Sequence, residues 1–216
     1  MKKKYILFDL DGTLTDSRDG IMNSIIHALR YFEIDVEDRE CLIPFIGPPL
    51  VDSFKKYYGF PAKQAEEALV RYREYFGVKG IFENRVYEGI EMLLKSLKNG
   101  KYELMLATSK PEEYAKRIMD HFGLSPYFAF IGGASMDESR SRKEDVIRYV
   151  LEANHITDPA EAIMVGDRSH DVYGAKVNGL EVIGVLYGYG DLDELQKAGA
   201  DYIAGTPDDI LKILES

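Results

Sequence analysis

The strongest constraint on this 216-residue chain is an alternation. Short runs that are apolar throughout recur between amphipathic stretches. The runs are "YILF" (Tyr5–Phe8), "YELMLA" (Tyr102–Ala107), "YFAFIGG" (Tyr127–Gly133), "AIMVG" (Ala162–Gly166), "EVIGVLYG" (Glu181–Gly188) and "ADYIAG" (Ala200–Gly205). Strands without in–out alternation are buried on both faces, and helical patterns between them supply the crossovers of a parallel sheet. "YEGIEMLLKSLKNGK" sets Ile90, Leu93, Leu94 and Leu97 on one face and stops at Gly100. "KPEEYAKRIMDHFGL" opens with Pro111 and two glutamates, which suit a helix N-terminus, and "RKEDVIRYVLEANHI" repeats the pattern. The reading is an α/β fold with a doubly wound parallel sheet.

One region breaks the rhythm. Residues 16–82 are helical in pattern, with "IMNSIIHALRYF" and "AKQAEEALVRYREYF" flanking "PFIGPPLVDSFKKYYGF". They read as a smaller, all-helical insertion into a core formed by residues 1–15 and 83–216. The aromatic residues of "KKYYGF" and "RYREYF" are expected in the insertion's interior. The proline-rich "PFIGPPL" reads equally as a stiff structural turn or a substrate-touching loop.

Composition narrows the function. Acidic residues outnumber basic ones 37 to 27, for a net charge of -10, and no dense basic patch follows "MKKK". A phosphate backbone needs a clustered basic face, so a nucleic-acid polymer is not an expected partner. The single cysteine, Cys41, excludes an intrachain disulfide and a cysteine zinc site, and is expected as a semi-buried thiol. No apolar run has the length of a membrane span, and no signal-peptide pattern precedes the first strand. The expectation is a cytoplasmic protein, monomer favoured over homodimer.

The polar residues worth explaining stand where apolar runs end. Asp9 and Asp11 follow "YILF", Thr108 and Ser109 follow "YELMLA", and Asp167 follows "AIMVG", with Asp171 four residues on. Ligands of open parallel sheets bind beyond the carboxyl ends of the strands. If these strands are neighbours, the carboxylates converge and repel unless a cation sits among them. Mg²⁺, which favours a few carboxylates plus phosphate oxygens, suits Asp9, Asp167 and Asp171. Lys143 neutralises a phosphate, the Asp11–Gly12–Thr13 turn offers backbone amides with Gly12 permitting it, and Thr108 and Ser109 precede a helix N-terminus. Asp9 then serves as nucleophile and Asp11 as acid and base.

"DLDGT" (Asp9–Thr13), the strand ending at Thr108, Lys143 and "GDRSHD" (Gly166–Asp171) resemble, in order, the four motifs of the haloacid dehalogenase (HAD) superfamily. The likeness spans essentially the whole chain. Aspartate at position 11 resembles the phosphatase and phosphomutase branch, and the layout is similar to phosphoglycolate phosphatases. The resemblance implies a Rossmann-like core with a helical cap and a Mg²⁺-dependent phosphatase. Its substrate would be a small phosphorylated metabolite such as phosphoglycolate or a nucleoside 5'-monophosphate. A phosphomutase of the β-phosphoglucomutase type and a non-catalytic binding protein are the alternatives. By the same resemblance Asp9 and Asp167 are metal ligands, Asp171 is one directly or through water, and the Asp11 backbone carbonyl is another, while Thr108 and Lys143 hold the phosphoryl group. Ser109 and Lys110 match a less constant substrate position.

"DLDGTLTDS" does not fit an EF-hand, which needs glycine sixth and glutamate twelfth. "GYG" (Gly188–Gly190) lacks the third glycine of a dinucleotide loop and reads as a core loop near the site. His27 and His170 read as structural and as a solvated helix start.

Overall fold

A computed structural model describes residues 3–216. The chain divides into two compact units, Met1–Thr15 with Val86–Ser216, and Asp16–Arg85.

The first unit is built on strands β1 (Tyr5–Phe8), β4 (Glu103–Pro111), β5 (Phe130–Ala134), β6 (Ala162–Gly166), β7 (Glu181–Val185) and β8 (Tyr202–Ala204). They form one sheet in the order β5-β4-β1-β6-β7-β8, and every pairing is parallel. The short strands β2 (Thr15–Asp16) and β3 (Arg85–Val86) pair separately, where the chain passes from one unit to the other and back. Winding proceeds outward from β1 to β4 and β5, then resumes on the other side of β1 with β6 to β8. The order therefore reverses at β1, which makes the crevice beyond its carboxyl end the topological switch point.

Six helices belong to this unit: α4 (Ile90–Asn99), α5 (Glu112–His121), α6 (Lys143–Ala153), α7 (Ser169–Val177), α8 (Leu192–Ala198) and α9 (Pro207–Glu215). Successive strand residues face opposite sides of the sheet. Leu7, Met105, Ala107, Met164 and Val182 form a buried cluster with Val146, Ile147 and Val150 of α6, Val172 and Ala175 of α7, and Leu195 of α8. Ile6, Phe8, Leu104, Leu106, Ile163, Val165 and Ile183 are the alternate set and are equally buried. Both faces are covered, so the uniformly apolar runs of the sequence have their physical reason.

Strand limits differ most from the apolar runs at β4, β5 and β7. β4 continues past Ala107 to Pro111 because pairing with β5 carries it onward, with a register shift between Thr108 and Pro111. Thr108 and Ser109 thus lie within the strand, and Pro111 stands just before α5 rather than inside its first turn. Ser125–Tyr127 forms a 3-10 turn, so β5 begins only at Phe130. β7 ends at Val185; Leu186 N–H still donates to Ala204 O, and Tyr187 to Gly190 then turn toward Asp167 and the turn after Asp11.

The second unit contains α1 (Arg18–Tyr31), α2 (Leu50–Tyr58) and α3 (Ala62–Phe76), with 3-10 segments at Arg39–Phe45 and Gly80–Phe82. Its interior holds Ile21, Met22, Ile25 and Leu29 of α1, Leu42, Phe45 and Phe54, and Tyr72 and Phe76 of α3. Phe54 stacks on Phe60, and Tyr72 on Phe76. Cys41 corrects the expectation of a semi-buried thiol, since it is exposed. Residues three apart share a face of a 3-10 helix, so Leu42 and Phe45 take the inward positions and leave Cys41 outside. In "PFIGPPL", Pro44 lies within that 3-10 segment, Phe45 and Ile46 are buried, and Pro49 precedes α2. His27 is at the surface beside Glu74 and the Tyr75 ring. Among the described residues, no helix is long and apolar enough to cross a membrane.

Candidate active site

The strands that carry the candidate residues, β4, β1 and β6, are immediate neighbours at the sheet centre. Phe8, Leu106 and Val165 are level with one another. Asp9 stands one residue past that level, and Thr108 and Asp167 two. The backbone is held to the rim, since Asp9 N–H donates to Val165 O at 2.9 Å. The apolar half of "YILFDLDGT" anchors the acidic half.

One carboxylate oxygen each of Asp9, Asp167 and Asp171 lies within 4.8 Å of the others, and all three residues are buried. Asp171 belongs to the first turn of α7 and accepts the Arg168 N–H at Oδ2 (3.0 Å). Lys143, the first residue of α6, is buried among them. Its Nζ lies 2.7 Å from both Asp9 Oδ1 and Asp171 Oδ1, and donates to Ala107 O at 3.1 Å. The Lys143 ammonium thus pairs with Asp9 and Asp171 through short, charge-assisted contacts.

Three buried carboxylates face one ammonium. Burial, followed by the neighbouring Asp171 and Asp9, pushes the Asp167 carboxyl well above its ordinary range. Burial also pushes Asp171 up to about 6, with Asp9 adding to the rise and Lys143 opposing it. Burial works against the charge of Lys143, yet Asp171 and Asp9 outweigh it and hold the lysine above its usual value. This is an all-oxygen donor set with excess negative charge, which fits a hard divalent cation such as Mg²⁺.

Asp11 lies apart from that trio. Its Oδ2 is 2.9 Å from the buried Nζ of Lys110, while its Oδ1 is buried without a hydrogen-bond partner among the described residues. Thr108 is buried, and its Oγ1 accepts the Lys110 N–H at 3.2 Å. Ser109 is half-buried beside it.

Gly12 differs from the expectation of an amide aimed at phosphate. Its N–H donates to Thr15 O at 2.8 Å, and Thr13 N–H donates to Leu10 O, so the turn uses both amides itself. What Gly12 supplies is room. It has φ +84°, and a β-carbon there would lie 2.2 Å from Asp167 Oδ2.

Several contributors carry little signal in the sequence. Glu194 of α8 accepts from Ser169 N–H (2.7 Å) and Arg168 Nε (3.0 Å), tying down the start of α7 and hence Asp171. Although burial opposes it, hydrogen bonding from Ser169 and Arg168 holds the Glu194 carboxyl below its ordinary value. Lys110, which with Ser109 matches a less constant substrate position by resemblance, is placed by the structure against Asp11 instead. "GYG" had the right location but no stated role. His170 is exposed at the start of α7.

The chain is similar to several known proteins. Residues 6–185 match the family described as haloacid dehalogenase-like hydrolase. A 5'-nucleotidase from Pseudomonas aeruginosa is 43% identical over 211 residues, covering 98% of this chain and 95% of its own. Tyrosine-protein kinase PtkA from Mycobacterium tuberculosis is 39% identical over 213 residues, covering 98% and 72%. The crystal structure of a predicted phosphatase from Clostridium acetobutylicum superposes with a TM-score of 0.96 at 51% identity, covering 99% of each chain. The chain belongs to the haloacid dehalogenase-like hydrolase family and is an enzyme of its phosphatase branch.

Proposed function

We propose that the chain is a Mg²⁺-dependent phosphatase that hydrolyses nucleoside 5'-monophosphates, or phosphate monoesters of similar size, through an aspartyl-phosphate on Asp9. The observation that carries the reading is the buried trio of Asp9, Asp167 and Asp171 around Lys143 at the sheet's switch point. The substrate class rests on likeness to the Pseudomonas 5'-nucleotidase.

In this reading the bound Mg²⁺ would be held by Asp9, Asp167, Asp171 and the Asp11 carbonyl, and would supply charge stabilisation to the phosphoryl oxygens. A carboxylate oxygen of Asp9 attacks phosphorus while the bond from phosphorus to the ester oxygen breaks. Asp11 enters protonated and gives that proton to the departing alcohol oxygen. The Asp11 carboxylate then takes a proton from water, whose oxygen attacks phosphorus and releases inorganic phosphate. Asp9 is restored as carboxylate and Asp11 as acid, so the cycle balances. The Asp11 oxygen without a hydrogen-bond partner suits it to exchange that proton, and Lys110 holds the other oxygen. Lys143 and the Thr108 hydroxyl bind phosphoryl oxygens, with the half-buried Ser109 beside them.

The test is release of inorganic phosphate from a panel of nucleotides, phosphoglycolate, sugar phosphates, pyrophosphate and phosphotyrosine, with Mg²⁺ and with EDTA. Mg²⁺-dependent release, greatest on nucleoside 5'-monophosphates, is expected. Isomerisation of sugar phosphates with little phosphate released would favour a phosphomutase instead. No turnover of any ester would favour a binding protein.

A further inference from the structure

The segment Tyr187–Gly190 leaves the sheet after Leu186, whose N–H still donates to Ala204 O, and closes on the acid cluster. Tyr189 N–H donates to Asp167 Oδ2 at 2.8 Å. A β-carbon at Gly188 would fall 2.4 Å from Asp167 Cβ and 2.3 Å from Gly12 O, and one at Gly190 would fall 2.0 Å from Asp167 O. Gly188 has no left-handed φ, so what its missing side chain provides is contact distance. On the other side, the Tyr187 hydroxyl donates to Thr13 O at 3.1 Å. The Tyr187 ring meets Tyr87 edge-on at 5.2 Å, and Tyr87 N–H donates to Leu14 O at 3.1 Å. The loop therefore grips two things at once: the carboxylate of Asp167, and the turn that follows Asp11.

We propose that Tyr187–Gly190 is a positioning element of the active site. Gly188 and Gly190 let the backbone seat directly against Asp167 and fix its carboxylate, and the Tyr187 hydroxyl fixes the turn that aims Asp11. None of these residues need touch the substrate. The inference rests on the proposed roles of Asp167 as metal ligand and Asp11 as acid and base. Groups that orient a metal ligand without touching the metal typically carry about 10- to 100-fold in affinity or activity. The two halves of the grip then separate experimentally, one acting on metal affinity and the other on turnover.

The experiment is calorimetric titration of the full chain with Mn²⁺ and Mg²⁺, alongside steady-state phosphate release, for wild type, Gly188→Ala and Tyr187→Phe. Gly188→Ala should bind metal at least about tenfold more weakly. Tyr187→Phe keeps the ring and loses only the hydroxyl. It should bind metal within about twofold of wild type and lower kcat about tenfold, with KM little changed. A merely structural role would lower the melting temperature and leave metal affinity and kcat of the folded protein alone. Wild-type metal affinity in a folded Gly188→Ala, together with wild-type kcat in Tyr187→Phe, overturns the inference. If Gly188→Ala does not fold, Tyr187→Phe decides alone, and an unchanged kcat overturns it. If wild type takes up neither ion, the Mg²⁺ reading fails first and the inference falls with it, an outcome distinct from the others.

Discussion

The two units treat charge in opposite ways. In the strand-based unit, Asp9, Asp167, Asp171 and Lys143 are all buried at one point. In the helical unit the described ion pairs each have at least one partner open to solvent: the half-buried Arg71, lying over the Tyr31 ring, bridges the exposed Glu67 and Glu74, and Arg39 reaches the exposed Asp19. Even Asp16, which is largely covered, pairs with an Arg85 that is 80% exposed. Exposed pairs of this kind contribute about 0–1 kcal/mol each and are dispensable. Buried charges cost several kcal/mol apiece in desolvation, and stability alone does not explain their presence. Under the proposed function, the acid cluster is where the fold gives up stability for chemistry, and the helical unit shows solvent-open electrostatics in the same chain.

The contrast can be broken by substitution. Lys143→Ala has the largest expected effect, because it leaves Asp9 and Asp171 buried without their cation. Removing one partner of a buried pair costs about 3–5 kcal/mol, so the metal-free protein should melt well below wild type, with Mg²⁺ recovering part of the loss. An unchanged melting temperature would mean the cluster is more hydrated than its burial implies.

The pH dependence of metal-free stability comes next. Asp171 titrates at about 6 in the fold against 3.8 ordinarily. A carboxyl raised in the folded state contributes stability below its unfolded pKa and loses that contribution as pH rises through the folded value. Metal-free protein should therefore lose stability between pH 3.8 and about 6, with Asp167 acting in the same direction. Saturating Mg²⁺ should flatten that fall. Thermal melts across this range, with EDTA and with Mg²⁺, check the sign.

Smaller still is Glu194→Ala, which removes charge-assisted bonds to Ser169 and Arg168. Such bonds are worth about 1.5–3 kcal/mol, measurable as a shifted urea midpoint. At the bottom stands Arg71→Gln in the helical unit, expected to change stability by less than about 1 kcal/mol. A larger loss there would erase the contrast between the units.

The sequence carried the site better than its surroundings, for a physical reason. A carboxylate that ends an apolar strand is locally costly, so Asp9, Asp11 and Asp167 stand out in the chain itself. The same holds for the apolar runs, because burial on both faces of a parallel sheet leaves a one-dimensional mark. Glu194 leaves no such mark. It lies on the amphipathic α8, 27 residues after Asp167 in the chain, and only the fold brings it to Ser169 and Arg168. Gly188 and Gly190 were visible as glycines, but what they approach is set by where β7 ends. The amides of Gly12 and Thr13 are spent inside the turn, and that hydrogen bonding depends on the conformation of Leu10 to Thr15, which residue types alone do not fix.

Whether Asp9 accepts the phosphoryl group is decided by acid-quenched labelling. Wild type and Asp9→Asn would each be mixed with a ³²P-labelled nucleoside 5'-monophosphate and Mg²⁺, quenched in acid within the first turnover, and separated from free substrate. Wild type should carry hydroxylamine-labile label and Asp9→Asn none, with phosphate release in the variant lower by roughly three orders of magnitude or more. Phosphate release by a folded, metal-binding Asp9→Asn at the wild-type rate would contradict Asp9 as the acceptor.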